Sequence, residues 1–195
     1  MRRLARCGAG LLACFVALAA PAAGAGAPQC HGVSFAPQIA VDGSTLVLNG
    51  LGLRQATIFR VNVYVAALYL PRPAHDPQAI LDSPGPAELV LHFVRNVGAR
   101  DLREHFLEDF GKSAPREMPA LRQRIGELDS FLSDVKSGER MVFVRLPGSG
   151  VRLELHGVRK TIAGSDFGRA LFSIWLGSTP PNPELKTGLL GGGCG

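Results

Sequence analysis

The order of elements along this chain predicts an α+β fold, in which a largely antiparallel sheet carries its helices on one side. Three observations lead there. Strand-like segments come first and return later as a hairpin, so strands and helices do not alternate one for one as a parallel sheet requires. Two central segments carry the 3.6-residue period of amphipathic helices. The 195 residues, 46% hydrophobic and 19% charged, suffice for one domain with a sizeable core and do not have the composition of a disordered chain.

Gly32 to Leu53 reads as two short strands around Asp42-Gly43, a dipeptide suited to a tight hairpin turn. Thr57 to Leu70 (TIFRVNVYVAALYL) is rich in β-branched and aromatic residues and predicts a long strand, stopped by Pro71 and Pro73. A short helix is expected over Pro77 to Leu81. Glu88 to Arg95 is a further strand, with Leu89, Leu91 and Phe93 on one face. In Ala99 to Phe110 the period changes: Leu102, Phe106, Leu107 and Phe110 share one helical face. Pro115 to Val135 repeats an apolar residue every three or four positions, from Met118 to Val135, and predicts an amphipathic helix. Glu139 to Leu146 and Val151 to His156 form a hairpin about Pro147-Gly148-Ser149-Gly150. Ser165 and Asp166 can open a helix that ends at Gly177, and Pro183 to Leu190 suits a last short one.

The first 27 residues stand apart. Arg2, Arg3 and Arg6 precede the short apolar run Leu11 to Ala20, and Ala23-Gly24-Ala25 offers small residues for cleavage. Residues 1–27 therefore read as a signal peptide and 28–195 as the mature domain of a secreted, periplasmic protein. The apolar run is shorter than the roughly 20 residues of a spanning helix, which favours export over an N-terminal anchor. Leu11-Leu12-Ala13-Cys14 has the form of a lipoprotein box, but cleavage there would leave Phe15 to Ala20 behind. No other segment of the sequence has the length and apolarity of a membrane span.

Charge argues against nucleic acid as a partner. Setting aside Arg2, Arg3 and Arg6 leaves 18 basic against 16 acidic residues, a balance of +2. Cys30 and Cys194 remain at opposite ends of the mature chain. They can pair in an oxidising compartment, or stay as free thiols on two tails; both readings stand. No CxxC or clustered histidines point to a metal, and no motif calls for a cofactor.

Four stretches carry a resemblance. Leu48-Asn49-Gly50-Leu51-Gly52-Leu53-Arg54, followed by Tyr64-Val65-Ala66-Ala67-Leu68-Tyr69-Leu70, resembles the chalcone isomerase-like family. Gly138-Glu139-Arg140 to Gly148 and Ile162-Ala163-Gly164 to Gly177 are similar to its bacterial exported branch. The resemblance runs from about Val33 to Gly191. It implies an open-faced β-sandwich: a curved antiparallel sheet with a helical layer over one face, and an apolar cleft between the layers.

The site residues that the resemblance implies divide sharply. Arg54 matches the arginine that follows the GxGxR-like turn of the plant enzymes. Where those enzymes place a threonine that polarises the substrate ketone, this chain has Tyr64. Asp101 stands near the position of a water-ordering tyrosine, and Gly168 lies nearest a substrate-contacting Thr or Ser. One of four polar positions is kept, so the donors that would stabilise a developing enolate are missing. The Arg-then-Tyr pair is instead similar to the fatty-acid-binding, non-catalytic branch, where the two hold a carboxylate. A guanidinium offers such a group two parallel donors, and a phenol adds a third.

The expected function is thus binding of a small amphiphilic carboxylate such as a fatty acid. Arg54 and Tyr64 are the ligand-binding residues, with Asp101, Phe93 and Phe106 as candidate pocket residues. The alternative is an isomerase, an intramolecular lyase acting on a chalcone-like or other substrate; a ligand-free scaffold is the third reading. Asp101 also fits a plain helix N-terminal acid. The pairing sets a geometric condition. Ten residues of straight strand would part Arg54 from Tyr64 by about 33 Å. The chain must therefore turn back between Gln55 and Arg60.

Overall fold

Asp42 and Gly43 both take positive φ, 46° and 81°. That is the twist of a tight hairpin between β3 (Gln38–Val41) and β4 (Ser44–Ala56). In the computed structural model, which describes residues 26–56 and 59–194, this hairpin opens a seven-stranded sheet. β5 (Val61–Leu70), β6 (Ala87–Phe93), β7 (Arg140–Leu146), β8 (Gly150–Leu155) and β9 (Val158–Ala163) follow. Every neighbouring pair is antiparallel and the strands lie in chain order, β3 to β9. The sheet is curled, and helices pack on one face, as the α+β reading requires. A two-stranded hairpin, β1 (Gln29–Cys30) with β2 (Val33–Ser34), stands apart from it.

The helices fill the gaps between strands: α1 (Pro77–Asp82), α2 (Ala99–Ser113), α3 (Met118–Phe131), α4 (Ser165–Leu176) and α5 (Pro183–Thr187). Asp76 caps α1, its carboxylate accepting from the Gln78 amide at 3.0 Å. α4 is apolar nearly all round, buries nine residues from Phe167 to Leu176, and packs against α1, α2 and β8. Past α5 the chain runs through a kinked turn (Gly188–Gly192) in which Gly191 takes φ 89°.

Two apolar layers result. Alternation along each strand sends Leu89, Leu91 and Phe93 of β6 to the helix side, where they meet Phe110, Leu121, Phe143 and Trp175. The opposite face holds a smaller cluster, Leu51, Leu53, Val65, Tyr69 and Val90, covered by Cys30 and Phe35 of the N-terminal segment.

Gly50 and Gly52 explain how the C-terminal segment reaches β4. A Cβ at Gly50 would collide with the carbonyl of Gly188, and one at Gly52 with the carbonyl of Leu185. Only bare backbone lets the strap α5–Gly192 lie flat across the strand. The Asn49 amide donates to the Leu189 carbonyl at 2.8 Å, and its oxygen accepts from the Ala74 amide at 2.7 Å. Cys194 then forms a disulfide with Cys30, with Cα atoms 5.6 Å apart. His31 lies within 4.8 Å of both sulfurs, whose ligating capacity is taken up by their own bond.

Three strand expectations need correction. The segment from Thr57 starts its strand only at Val61, because Phe59 and Arg60 belong to a turn and Arg60 has φ 52°. Gly32 to Leu53 is not two short strands: β4 alone has 13 residues and runs to Ala56. β9 was not expected at all. It is an edge strand in which Ile162 alone is buried, so it lacks the alternation that marks a half-covered strand. Its Arg159 and Lys160 are the kind of charges that discourage further pairing at an edge. The amphipathic helix predicted over Pro115 to Val135 is shorter, Met118–Phe131, with Pro119 in its first turn.

The expected signal peptide lies outside the described residues except for Gly26 and Ala27. Among the described residues no helix is long and apolar enough to cross a membrane.

Candidate functional site

The chain turns back between Ala56 and Val61, and Arg54 becomes the cross-strand partner of Tyr64. Tyr64 is in turn the partner of Phe93 on β6. The three make one row across β4, β5 and β6. Arg54 shares its face of β4 with Gly50 and Gly52, while Leu51 and Leu53 point to the other layer. The GxGxR spacing is thus one strand face: two glycines under the strap, then an arginine just beyond it.

The row forms one wall of a cavity of about 250 Å³ between the sheet and α2. Its inner part is apolar, made by Leu91, Phe93, Leu102, Phe106 and Trp175, all buried. Its outer part is polar, with Arg54, Arg95, Asp101, His105 and Asp109. Of these Arg95, Asp101 and His105 are exposed, while Arg54 and Asp109 are half-buried. An apolar interior with convergent charged groups at the mouth is the usual form of a small-molecule site.

The hydroxyl of Tyr64 accepts the indole N–H of Trp175 at 2.9 Å. The ring of Tyr64 meets that of Phe93 edge-on at 5.6 Å. Among the described residues no acceptor takes the Tyr64 proton, so it is left to donate into the cavity. Burial, opposed in part by the Arg54 charge, pushes the phenol up to about 12. It therefore stays protonated, and a donor, at neutral pH.

Arg54 donates to the carbonyl of Gln55 beside it. Asn182 brackets that stretch of strand, accepting from the Gln55 amide at 3.2 Å and donating to the Leu53 carbonyl at 3.1 Å. No carboxylate forms an ion pair with Arg54 among the described residues. Asp109 faces it across the cavity: burial raises this carboxyl above the usual range, and the Arg54 charge pulls it back only in part.

All five residues singled out from the sequence, Arg54, Tyr64, Phe93, Asp101 and Phe106, line this one cavity. Gly168 does not; it is buried in α4 against Val151. Phe110 stacks on Phe167 at 5.8 Å and serves the core alone. Of the other lining residues, three bear on the chemistry of the site: Asp109, Arg95 and Trp175. Asp109 follows Asp101 and His105 at the four-residue spacing of one helix face, a signal present in the sequence beside the apolar stripe. Arg95 follows Phe93 by two and leaves the β6 end on the same side. Trp175 was read as core, which it is, but its indole N–H is what orients Tyr64.

Curled sheet, helical layer and interlayer cavity together define an open-faced sandwich able to hold a small molecule. The sequence profile of chalcone isomerase-like proteins matches residues 27–191, nearly all of the described chain. The chain belongs to the chalcone isomerase-like family. No curated protein matches it in sequence. Among solved structures it is similar to the fatty-acid binding protein AtFAP1 of Arabidopsis thaliana, with a TM-score of 0.67 and 15% identity. That alignment covers 82% of this chain and 92% of the other, and at such identity it speaks for the fold.

Proposed function

We propose that this chain binds a fatty acid or similar amphiphilic carboxylate and does not catalyse ring closure. The observation that carries the reading is the Arg54–Tyr64 pair, set as cross-strand partners at the polar mouth of an apolar cavity. Arg54 supplies charge and paired donors, Tyr64 a directed proton, and the buried wall from Leu91 to Trp175 takes the acyl chain. The fold's likeness to the fatty-acid binding protein AtFAP1 supports the same reading. Export to an oxidising compartment, the periplasm or beyond, belongs to the proposal. The Cys30–Cys194 disulfide and the signal-like residues 1–27 support it.

The test is native mass spectrometry of protein purified without delipidation, followed by calorimetric titration with saturated carboxylates. An acyl adduct, or saturable one-to-one binding, is expected. An empty protein that binds no carboxylate of any length would end the proposal.

A further inference from the structure

The cavity is small for its proposed ligand. Sites for drug-sized ligands run to about 300–1,000 Å³; this one has about 250 Å³.

Phe106 belongs to the apolar wall of this cavity and also lines a second hollow of about 430 Å³ between α2 and α3, with Leu107, Met118, Ile125 and Leu128 beside Arg103, Arg122 and Asp129. Phe106 is the one residue that lines both. Its ring is set at 5.8 Å from Phe143 of β7 and 6.1 Å from Trp175 of α4, and it is 8% exposed. Neighbours from two other elements thus fix the partition, and packed aromatic rings do not leave their rotamers cheaply. Two arginines line the second hollow: Arg103 is engaged, donating to the carbonyls of Asp129 at 3.0 Å and Leu132 at 2.8 Å, while Arg122 is exposed.

We infer that Phe106 is the end-stop of the acyl cavity and holds the ligand to a shorter carboxylate than the two hollows together would take. This rests on the head-group reading above. Without the ring, the hollow between α2 and α3 becomes the continuation of the same cavity, and long chains fit.

The experiment is calorimetric titration of the purified, disulfide-bonded protein with straight-chain saturated carboxylates from six to eighteen carbons, below their micellar concentrations. Wild type, Phe106→Ala and Phe106→Leu are compared. In wild type, affinity should rise about fourfold per added methylene up to an optimum short of sixteen carbons and then fall. In Phe106→Ala the optimum should move at least four carbons longer. Phe106→Leu keeps a large apolar side chain in the core and should move it part of the way. Wild-type affinity that keeps rising through sixteen carbons, or an optimum unmoved in Phe106→Leu, overturns the end-stop and leaves the head-group reading intact. Failure of every chain length to bind wild type refutes both.

Discussion

Breaking the Cys30–Cys194 disulfide should loosen the whole molecule. The bond joins the segment covering one sheet face to the strap lying on the other, across a sequence separation of 164 residues. The chain-entropy relation gives a ceiling of about 5 kcal/mol for a loop of that length, and removal of native disulfides costs about 2–5 kcal/mol. A loss of about 3–5 kcal/mol corresponds to a Tm lower by about 10 °C for a domain of this size. The assay is thermal unfolding followed by circular dichroism on wild type, with and without a phosphine reductant, and on Cys194→Ser. Reduced wild type and Cys194→Ser should melt together, well below the oxidised protein. Carboxylate affinity should weaken too, since Asn182 of the strap holds the strand on both sides of Arg54. The reasoning fails if thiol titration confirms reduction and the Tm moves by less than a degree or two.

Three other outcomes follow from the charges and the missing donors. A ligand carboxylate entering beside Asp109 should favour protonation of that group, already raised by burial. Wild-type affinity should therefore rise as pH falls, with proton uptake visible as a buffer dependence of the calorimetric enthalpy. Asp109→Asn should bind more tightly at pH 8 and lose that dependence. Glu88, on the other sheet face, is pushed up to about 7 by burial and by Glu154. Because its folded value lies above its unfolded one, its contribution is complete below about pH 4.5 and is lost as pH rises through 7. Glu88→Gln should raise stability at pH 8, by at most about 2 kcal/mol once solvent screening of this partly exposed group is allowed for, and flatten the pH profile from 5 to 8, as urea unfolding would show. Chalcone cyclisation followed by absorbance should run at the uncatalysed rate; a clear acceleration across several chalcones would restore the isomerase reading.

The fold was largely legible because its signals are local. Asp42-Gly43 marks its own turn, and the apolar residues of α2 and α3 repeat at the helical period whatever they pack against. β9 stayed hidden because an edge strand with one buried side chain has almost no pattern to read. The site was legible where spacing and pairing coincide. Arg54 and Tyr64 can act together only if the chain reverses between them, and it does so at Phe59 and Arg60. Asp109 was visible as a member of the Asp101–His105–Asp109 stripe, but nothing in the sequence says which side of an amphipathic helix borders a cavity. The link from Trp175 to Tyr64 spans 111 residues and two layers, and no periodicity encodes it. The partition at Phe106 is a matter of volumes on either side of one ring, which only packing in three dimensions reveals.

The head-group role of Arg54 is tested most directly by titrating decanoate into wild type, Arg54→Ala and Arg54→Lys while recording each Tm. Removing one partner of a partly buried, charge-assisted pair costs about 2–5 kcal/mol. Arg54→Ala should thus bind about 30-fold more weakly or worse. Arg54→Lys should recover part of the loss, since an ammonium cannot make the two-pronged contact. Their melting temperatures should differ only slightly, because Arg54 has no ion-paired partner among the described residues and its charge offsets only part of the burial of Asp109. Undiminished affinity in Arg54→Ala, or a lowered Tm with affinity per folded molecule unchanged, would contradict the head-group role and return Arg54 to a structural one.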